Sequence, residues 1–507
     1  MDRAVVGIDV GTSGTKTALF TGCGKLLASS NAEYPMSQPN NGWAEQDPDD
    51  WWNAAVSGLK YVLAKVPADT MIAGIGLSGQ MHGLVMLDEV GRVLRPSIIW
   101  CDQRTEREVA QMNDIIGREK LIEITANPAM TGFTAAKILW VKNNEPAIYE
   151  KCAHILLPKD YIRFKLTGEI ATEVSDASGM QLMDIAARDW SDEILDLLEI
   201  DKKLLGKMYE SPEITGRIYR QAADITGLEE GIPVVGGAGD NPAAAVGTGV
   251  VSEGSAFTTL GSSAVIYAVS DTIKIDKEGR VHTLCASAPG KWTVMSCTQG
   301  AGLSFKWLRD TCCFPEVTES AQKNVDPYMI MDELAESAPI GSGRLLFLPY
   351  LMGERSPHPD PDCRGVFFGL SASHTRGNLI RAVMEGVSYS QLECLNVFKD
   401  MGVPVSDMVL TGGGSKSRFW SQMLADLYGC PVSVIQSGEG AARGAALLAA
   451  VGAGIFPTVQ DACAVALKKG AALAPDSDRA AAYKPFYDLY KKLYRDLRED
   501  FSTLAKL

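Results

Sequence analysis

The run VVGGAGDNPAAAVGTGVVSEGSAFTTLGSSA, residues 234–264, lies near the midpoint of the 507-residue chain and decides how the rest is read. Its first part is a β-branched segment ending in a glycine-rich turn that presents one carboxylate, Asp240. Its second part, continuing into VIYA, reads as two short strands around the turn Gly261-Ser262-Ser263. The N-terminus carries the same pattern: VVGIDVGTSGTKTALF, residues 5–20, is strand, Gly/Thr/Ser turn, strand. Glycines at such turns let the backbone approach a bound group, and the hydroxyls add donors. One type of turn near residue 12 and again near residue 262 predicts two related halves facing one another. That arrangement suits a nucleotide whose phosphates lie between the turns, with Asp240 taking a proton from the phosphate acceptor.

Length and composition bound the rest. A chain of 507 residues exceeds one core and predicts two large domains or three small ones. A net charge of −14 excludes a nucleic-acid footprint, which needs a basic face. It still admits an anionic ligand, because backbone N–H groups and metal ions supply local positive potential. No charged segment followed by an apolar stretch opens the chain, so no signal peptide is expected. The longest weakly polar run, residues 444–456, is shorter than the roughly twenty residues of a membrane span. The eleven Cys form no CxxC pair, and the five His no HxxxH spacing. Reduced thiols, no structural metal and a cytoplasmic location follow as the expectation.

Strands are expected at residues 4–10, 16–20, 25–31 and 71–77, and then at 232–236, 256–260, 265–269, 292–296 and 408–410. Helices are expected from Asp47-Pro48 onward and at residues 105–112, 135–142, 159–166, 191–199, 303–310, 379–397, 417–428 and 444–451. A terminal helix, residues 478–507, should break near Pro485. Strand and helix alternating in both halves make the fold α/β.

Several motifs carry competing readings. IDVGTSGTK is not a Walker A loop, since it lacks GxxxxGK[ST] and runs on into a strand. Alone it could be a plain hairpin turn; the second copy favours a phosphate role, with Asp9 at the strand end near any Mg²⁺. GIGLSG, residues 74–79, matches the dinucleotide pattern, yet QMHGLVMLD follows as a strand with no acid at the right distance. It is a decoy, and with it goes a Rossmann oxidoreductase. Met81 and His82 end a strand at a glycine-flanked turn, where His82 serves either the fold or a sugar hydroxyl. Asp240 suits a general base or a helix cap with Pro242 in the first turn. TGGGSKSRFW carries a strand through three Gly into a helix with Ser415 or Ser417 near its start, a geometry that fits adenosine.

Further stretches complete a family pattern. GIDVGTSGTK, WAEQDPDDWW, GLSGQMHGLVMLD, TGFTAAKILWVKNNEP, LLPKDYIRFKLTGE, SDASGM, RDWSDEIL, GGAGDNPAAAVGTG, PYLMGERSPHPDPDCRGVFFGL, RAVMEGVSYS and GGGSKSRFWSQMLAD resemble the FGGY carbohydrate kinases over nearly the whole chain. Within that family the likeness is greatest to members acting on D-xylulose. The resemblance implies two actin-like domains (ribonuclease H-like, ASKHA superfamily), residues 1–250 and 251–507, closing over an interdomain cleft. It implies ATP and Mg²⁺ as cofactors, and D-xylulose converted to D-xylulose 5-phosphate in pentose catabolism. Position by position, Asp240 matches the general base, and Met81, His82, Trp100 and Asn241 the residues around the sugar. Thr12, Ser13 and Gly14 match the first phosphate turn, Gly261 and Ser262 the second, and Asp9 the carboxylate holding Mg²⁺ through water. Gly302, Gly413 and Ser417 match positions around the nucleotide. Small-molecule sugar and ATP are the implied partners, with neither nucleic acid nor membrane, and a homodimer is left open. No arginine stands out as a partner for the transferred phosphoryl group, so positioning, metal and backbone N–H groups would carry catalysis.

The chain departs from the family pattern in places: GSS stands where GTS is commoner, DNP where DNA is, and WCDQR where WNDGR or WNDQR is. Cys101 falls on the sugar side. Two readings stand beside the main one: a sister kinase for ribulose, gluconate, glycerol or erythritol, and a non-catalytic actin-like nucleotide-binding protein.

Overall fold

The computed structural model describes residues 2–435, 439–468 and 470–507. Two sheets organise it. The first has the order Ile214–Arg217, Pro233–Val235, Thr70–Gly79, Asp2–Val10, Gly14–Thr21, Leu26–Glu33, with Ala238–Gly239 also pairing to Thr70–Gly79. The second has the order His282–Cys285, Trp292–Thr298, Ala264–Ser270, Gly254–Thr259, Val405–Thr411, Val432–Val434. Each contains an antiparallel meander whose first strand is flanked by a parallel strand: Asp2–Val10 beside Thr70–Gly79, and Gly254–Thr259 beside Val405–Thr411. The repetition read from the two turns is therefore a repetition of topology, and the fold is the two-domain, mixed α/β actin-like one.

Alternation along the first strand explains how its sheet is covered. Ala4, Val6, Ile8 and Val10 face a core shared with Trp51, Trp52 and Leu59 of the helix Pro48–Leu63. Val5 faces the opposite way, into a core shared with Ala446, Leu447 and Ala450 of the helix Gly440–Gly452. That Ala-rich helix belongs to the second half in sequence but packs on the first sheet and on the helix Asp240–Thr248. A Cβ at Gly7 would stand 1.9 Å from Ala442 O, and one at Gly76 1.8 Å from Ala445 O. Gly76 belongs to the GIGLSG run, so this glycine serves helix-on-sheet packing, and a turn follows Gly79 where a dinucleotide site would open a helix.

Most expected elements lie within a few residues of their predicted bounds. Asp47 caps the helix Pro48–Leu63 by accepting from Asp49 N (3.0 Å), and Ser191 caps Asp192–Leu198. The terminal helix is a correction: it runs unbroken from Ser477 to Leu504 through Pro485. Tyr483, Tyr487, Tyr490, Leu493 and Tyr494 are buried on both sides of the proline, and that packing outweighs one lost backbone hydrogen bond. The helices Phe314–Lys323 and Pro327–Ser337 were not foreseen. Among the described residues no helix is long and apolar enough to cross a membrane.

Candidate active site

The cleft is built at the ends of adjacent strands. In register, Asp9 lies beside Ser78, and Ser78 beside Ala238, two residues before Asp240. Three neighbouring strands thus deliver Asp9, Gln80 and Asp240 to one edge of the sheet. Ser78 Oγ donates to Asp9 Oδ1 at 3.0 Å. Asp240 opens the helix Asp240–Thr248, and its Oδ1 accepts from the backbone N (2.7 Å) and Nδ2 (3.0 Å) of Asn241. Burial, and then the neighbouring Asp9 charge, raise the Asp240 carboxyl to about 7. The Asp9 carboxyl is raised as well, mainly by burial. A carboxylate poised near neutrality can accept a proton and release it again.

The segment bearing Asp240 is anchored from behind by a fully buried ionic cluster. Lys159 Nζ lies 2.7 Å from Asp160 and 3.4 Å from both Glu173 and Asp176, while Arg163 lies 2.9 Å from Asp160. Arg163 also donates to Gly236 O (3.2 Å), and Ser175, bonded to Glu173, accepts from Gly239 N (3.3 Å). The KDYIR and SDASG stretches therefore hold the glycine-rich turn on which Asp240 stands.

The first turn is closed by Gly11 N donating to Gly14 O (3.0 Å), and a Cβ at Gly14 would meet Ala32 O at 2.7 Å. Thr12 is held by residues that the sequence did not single out: Gln46 Nε2 donates to Thr12 O (2.6 Å) and to no other atom so closely. Gln80 Nε2 donates to Gln46 Oε1 (2.7 Å), and Tyr34 OH to Gly11 O (2.5 Å). Both glutamines lie inside quoted motifs, but only the fold brings them together. Ser13, at the tip of the turn, is exposed.

In the second turn, Gly302 N donates to Gly261 O (2.8 Å) and Leu303 N to Ser262 O (3.0 Å). The first amides of the helix Gly302–Cys312 thus fix the turn. A Cβ at Gly302 would fall 2.4 Å from Gly261 O. The TGGG loop meets the same point, with Gly414 N donating to Leu260 O (3.1 Å). A short 3₁₀ turn, Gly413–Lys416, separates strand from helix, and Ser417 caps Arg418–Tyr428 through Trp420 N (3.0 Å). A Cβ at Gly413 would meet nothing within 4 Å, so open space lies above it.

On the other wall His82 adopts φ 69° and its Nδ1 donates to Gly179 O (3.0 Å). Burial, then the Lys137 and Arg355 charges, push its pKa well down, so the ring is neutral. Because the carbonyl requires Nδ1–H, Nε2 is left as an acceptor. The ring stacks on Phe133 at 4.3 Å, and Met81 packs against Gly239. Lys137, also missed, is fully buried, donates to His82 O and Gly132 O (both 2.8 Å), and is pushed down to about 7 by burial. Trp100 is placed between the two walls: its indole Nε1 donates to Thr12 Oγ1 at 2.9 Å.

The arrangement also fits a magnesium ion. Asp9 and Asp240 are two hard carboxylates, and the Asp9 charge raises the proton affinity of Asp240, a situation that a divalent cation relieves. Among the described residues no three metal-ligating side chains converge. Mg²⁺ held by one carboxylate, phosphates and water needs no more.

Two topologically repeated halves, each offering a hydroxyl-bearing turn to a shared cleft with a carboxylate at its floor, define an actin-like two-domain kinase. Residues 4–247 match the N-terminal domain of the FGGY family of carbohydrate kinases, and residues 256–453 its C-terminal domain. The chain belongs to that family. It is 37% identical over 506 residues to the xylulose kinase of Bacillus subtilis, covering 99% of each chain. It is 38% identical over 496 residues to that of Escherichia coli, covering 97% of this chain and 99% of the other. The crystal structure of xylulose kinase from Rhodospirillum rubrum superposes with a TM-score of 0.92 at 31% identity, over 99% of this chain and 100% of that one. Gluconate kinase from Lactobacillus acidophilus superposes equally well, 0.92, at 26% identity over 99% of this chain and 100% of that one.

Proposed function

We propose that this kinase transfers the γ-phosphoryl group of ATP to the terminal hydroxyl of D-xylulose, giving D-xylulose 5-phosphate. The observation that carries the reading is Asp240, a carboxylate near neutrality at the end of the central strands, between the first phosphate turn and the sugar wall. The sugar is taken from the likeness to xylulose kinases over nearly the full chain. Superposition alone does not choose the sugar, since a gluconate kinase matches as well.

In this reading Asp240 accepts the hydroxyl proton as the sugar oxygen attacks phosphorus in line, and ADP leaves. Asn241 holds Asp240 in place, His82 Nε2 accepts from a sugar hydroxyl with Met81 beneath it, and Trp100 braces Thr12 toward the sugar. Thr12, Ser13 and Gly14 face the phosphates from one side, Gly261 and Ser262 from the other. Gly302 keeps the second turn in shape, while Gly413 and Ser417 border the adenosine. Mg²⁺, held near Asp9 through water, would neutralise charge on the phosphates. The domains divide near residue 250, and their closure excludes water from the transfer.

The test is ADP release from Mg-ATP with D-xylulose, D-ribulose, L-ribulose, L-xylulose, gluconate, glycerol and erythritol. D-xylulose should give the highest kcat/KM. Preference for another sugar would keep the kinase and place the error at Met81, His82 and Cys101. ADP release indifferent to every sugar would remove the function.

A further inference from the structure

We propose that Arg355 is a catalytic residue of this kinase, whose guanidinium meets the phosphoryl group as it passes from nucleotide to sugar. The proposal rests on the phosphotransfer reading above. Arg355 lies in the GERSPH stretch, residues 353–358, of the second half. Its backbone is pinned: Arg355 N donates to Glu354 Oε1 at 2.8 Å, and the same oxygen accepts from Gln299 N at 2.8 Å. Gln299 is three residues before Gly302, which holds the second phosphate turn. The loop carrying Arg355 is thus tied to that turn.

The side chain then reaches across the cleft. At one end the guanidinium lies in the surroundings of the Cys297 thiol, as does Ser263 of the second turn, and its charge lowers the proton affinity of that thiol. At the other, Nη2 lies 3.5 Å from the point where a side chain at Gly132 would begin. Gly132 packs against the Trp100 carbonyl, and the Trp100 indole holds Thr12 of the first turn. Arg355 is therefore tied through its backbone to the second turn, while its guanidinium approaches the wall on which Trp100 holds the first. Its charge is felt on the sugar side, where it helps lower the proton affinity of His82 and Lys137.

A half-buried arginine with a structural role ordinarily pairs with a carboxylate. Among the described residues Arg355 has no such partner, and a thiol is a poor substitute for one. A cation left uncompensated in a closing cleft suits an anion that arrives with the substrate. In the transfer, the bond from phosphorus to the bridging oxygen of ADP breaks and that oxygen keeps the electron pair. The bond from phosphorus to the sugar oxygen forms, and the hydroxyl proton goes to Asp240. Arg355 gives up no proton; its planar fork meets the equatorial phosphoryl oxygens, where the charge of the transition state lies.

Arg355→Ala and Arg355→Lys test this, with kcat, both KM values and the affinity for Mg-ADP-fluoroaluminate in the presence of sugar. Arg355→Ala should lower kcat on the order of 10²–10⁴-fold, with both KM values within about threefold. Affinity for the fluoroaluminate complex should fall in parallel with kcat. Arg355→Lys, which keeps charge but loses the fork, should remain at least about tenfold below the parent in kcat and serves if the alanine variant does not fold. A kcat within about threefold of the parent, or a loss confined to sugar KM, would overturn the proposal. The parent is assayed first: no sugar-dependent ADP release there refutes the phosphotransfer reading, whereas an active parent with an indifferent Arg355→Ala refutes only this role.

Discussion

At the scale of single residues, Asp240 is the group on which most depends, and its environment makes its behaviour calculable. In the free enzyme its carboxyl stands at about 7, and the base must be ionised to accept a proton. The kcat/KM for sugar should therefore fall about tenfold per pH unit below about 7. Asp240→Asn should lower kcat on the order of 10²–10⁴-fold while ATP still binds. Stability has the opposite sign. The folded carboxyl keeps its proton up to about 7, whereas the unfolded one, at 3.8, has already lost it. The folded state thus loses stability as pH rises through that window. Asp240→Asn should melt above the parent at pH 8, with the gap closing toward pH 4; a lower melting temperature at pH 8 would contradict the assigned burial.

At the scale of elements, the Ala-rich helix Gly440–Gly452 joins the halves. It crosses Asp240–Thr248 with backbones in near contact: a Cβ at Gly444 would stand 1.8 Å from Ala243 O, and one at Gly247 1.8 Å from Gly440 O. No side chain fits there. Gly444→Ala should destabilise by about 1–3 kcal/mol and displace the helix that begins with Asp240, lowering kcat as well. Gly440→Ala, in the same helix with nothing within 4 Å of its Cβ, should leave the melting temperature unchanged or raised. Equal melting curves for the two variants would show that the crossing is looser than drawn. Lys159→Met acts on another joint, leaving Glu173 and Asp176 buried without their cation. It should cost about 3–5 kcal/mol, read from chemical denaturation.

At the scale of the molecule, the two turns come from separate sheets, so the distance between them depends on how the halves are set. The helical region of the first half already reaches the second sheet: Asn127 Nδ2 donates to Thr283 O (2.8 Å), and Ser178 Oγ accepts from Cys285 N (3.0 Å). His282 of the second half bonds Asn127 Oδ1 (3.0 Å) and lies tilted against Phe133, with ring centroids 5.5 Å apart, while His82 stacks on the same Phe133 ring. His82, proposed above to meet the sugar, is thereby in touch with the contact between halves. Sugar together with a non-hydrolysable ATP analogue should shrink the radius of gyration in solution scattering, and ATP hydrolysis without sugar should be slow.

The sequence by itself determined the parts that depend on local chemistry. The two turns were legible because glycine and hydroxyl residues between two strand-like runs recur at both places. Asp240 was legible because a glycine-rich turn presents a lone acid before Asn-Pro, and the strands because alternation survives in a buried sheet. What only the tertiary structure decided are contacts between distant stretches. Gln46 and Gln80 meet behind Thr12, Lys137 rises under His82, and Arg355 crosses from the second half to Gly132. GIGLSG, already set aside from the sequence as a dinucleotide site, received its packing role only from the fold, since its Gly76 answers a helix more than 360 residues away in the chain. Pro485 sits within an unbroken helix because packing of its tyrosine neighbours outweighs a local preference. Local preference is written in neighbours along the chain; the charge, burial and reach of a side chain depend on what the fold sets against it.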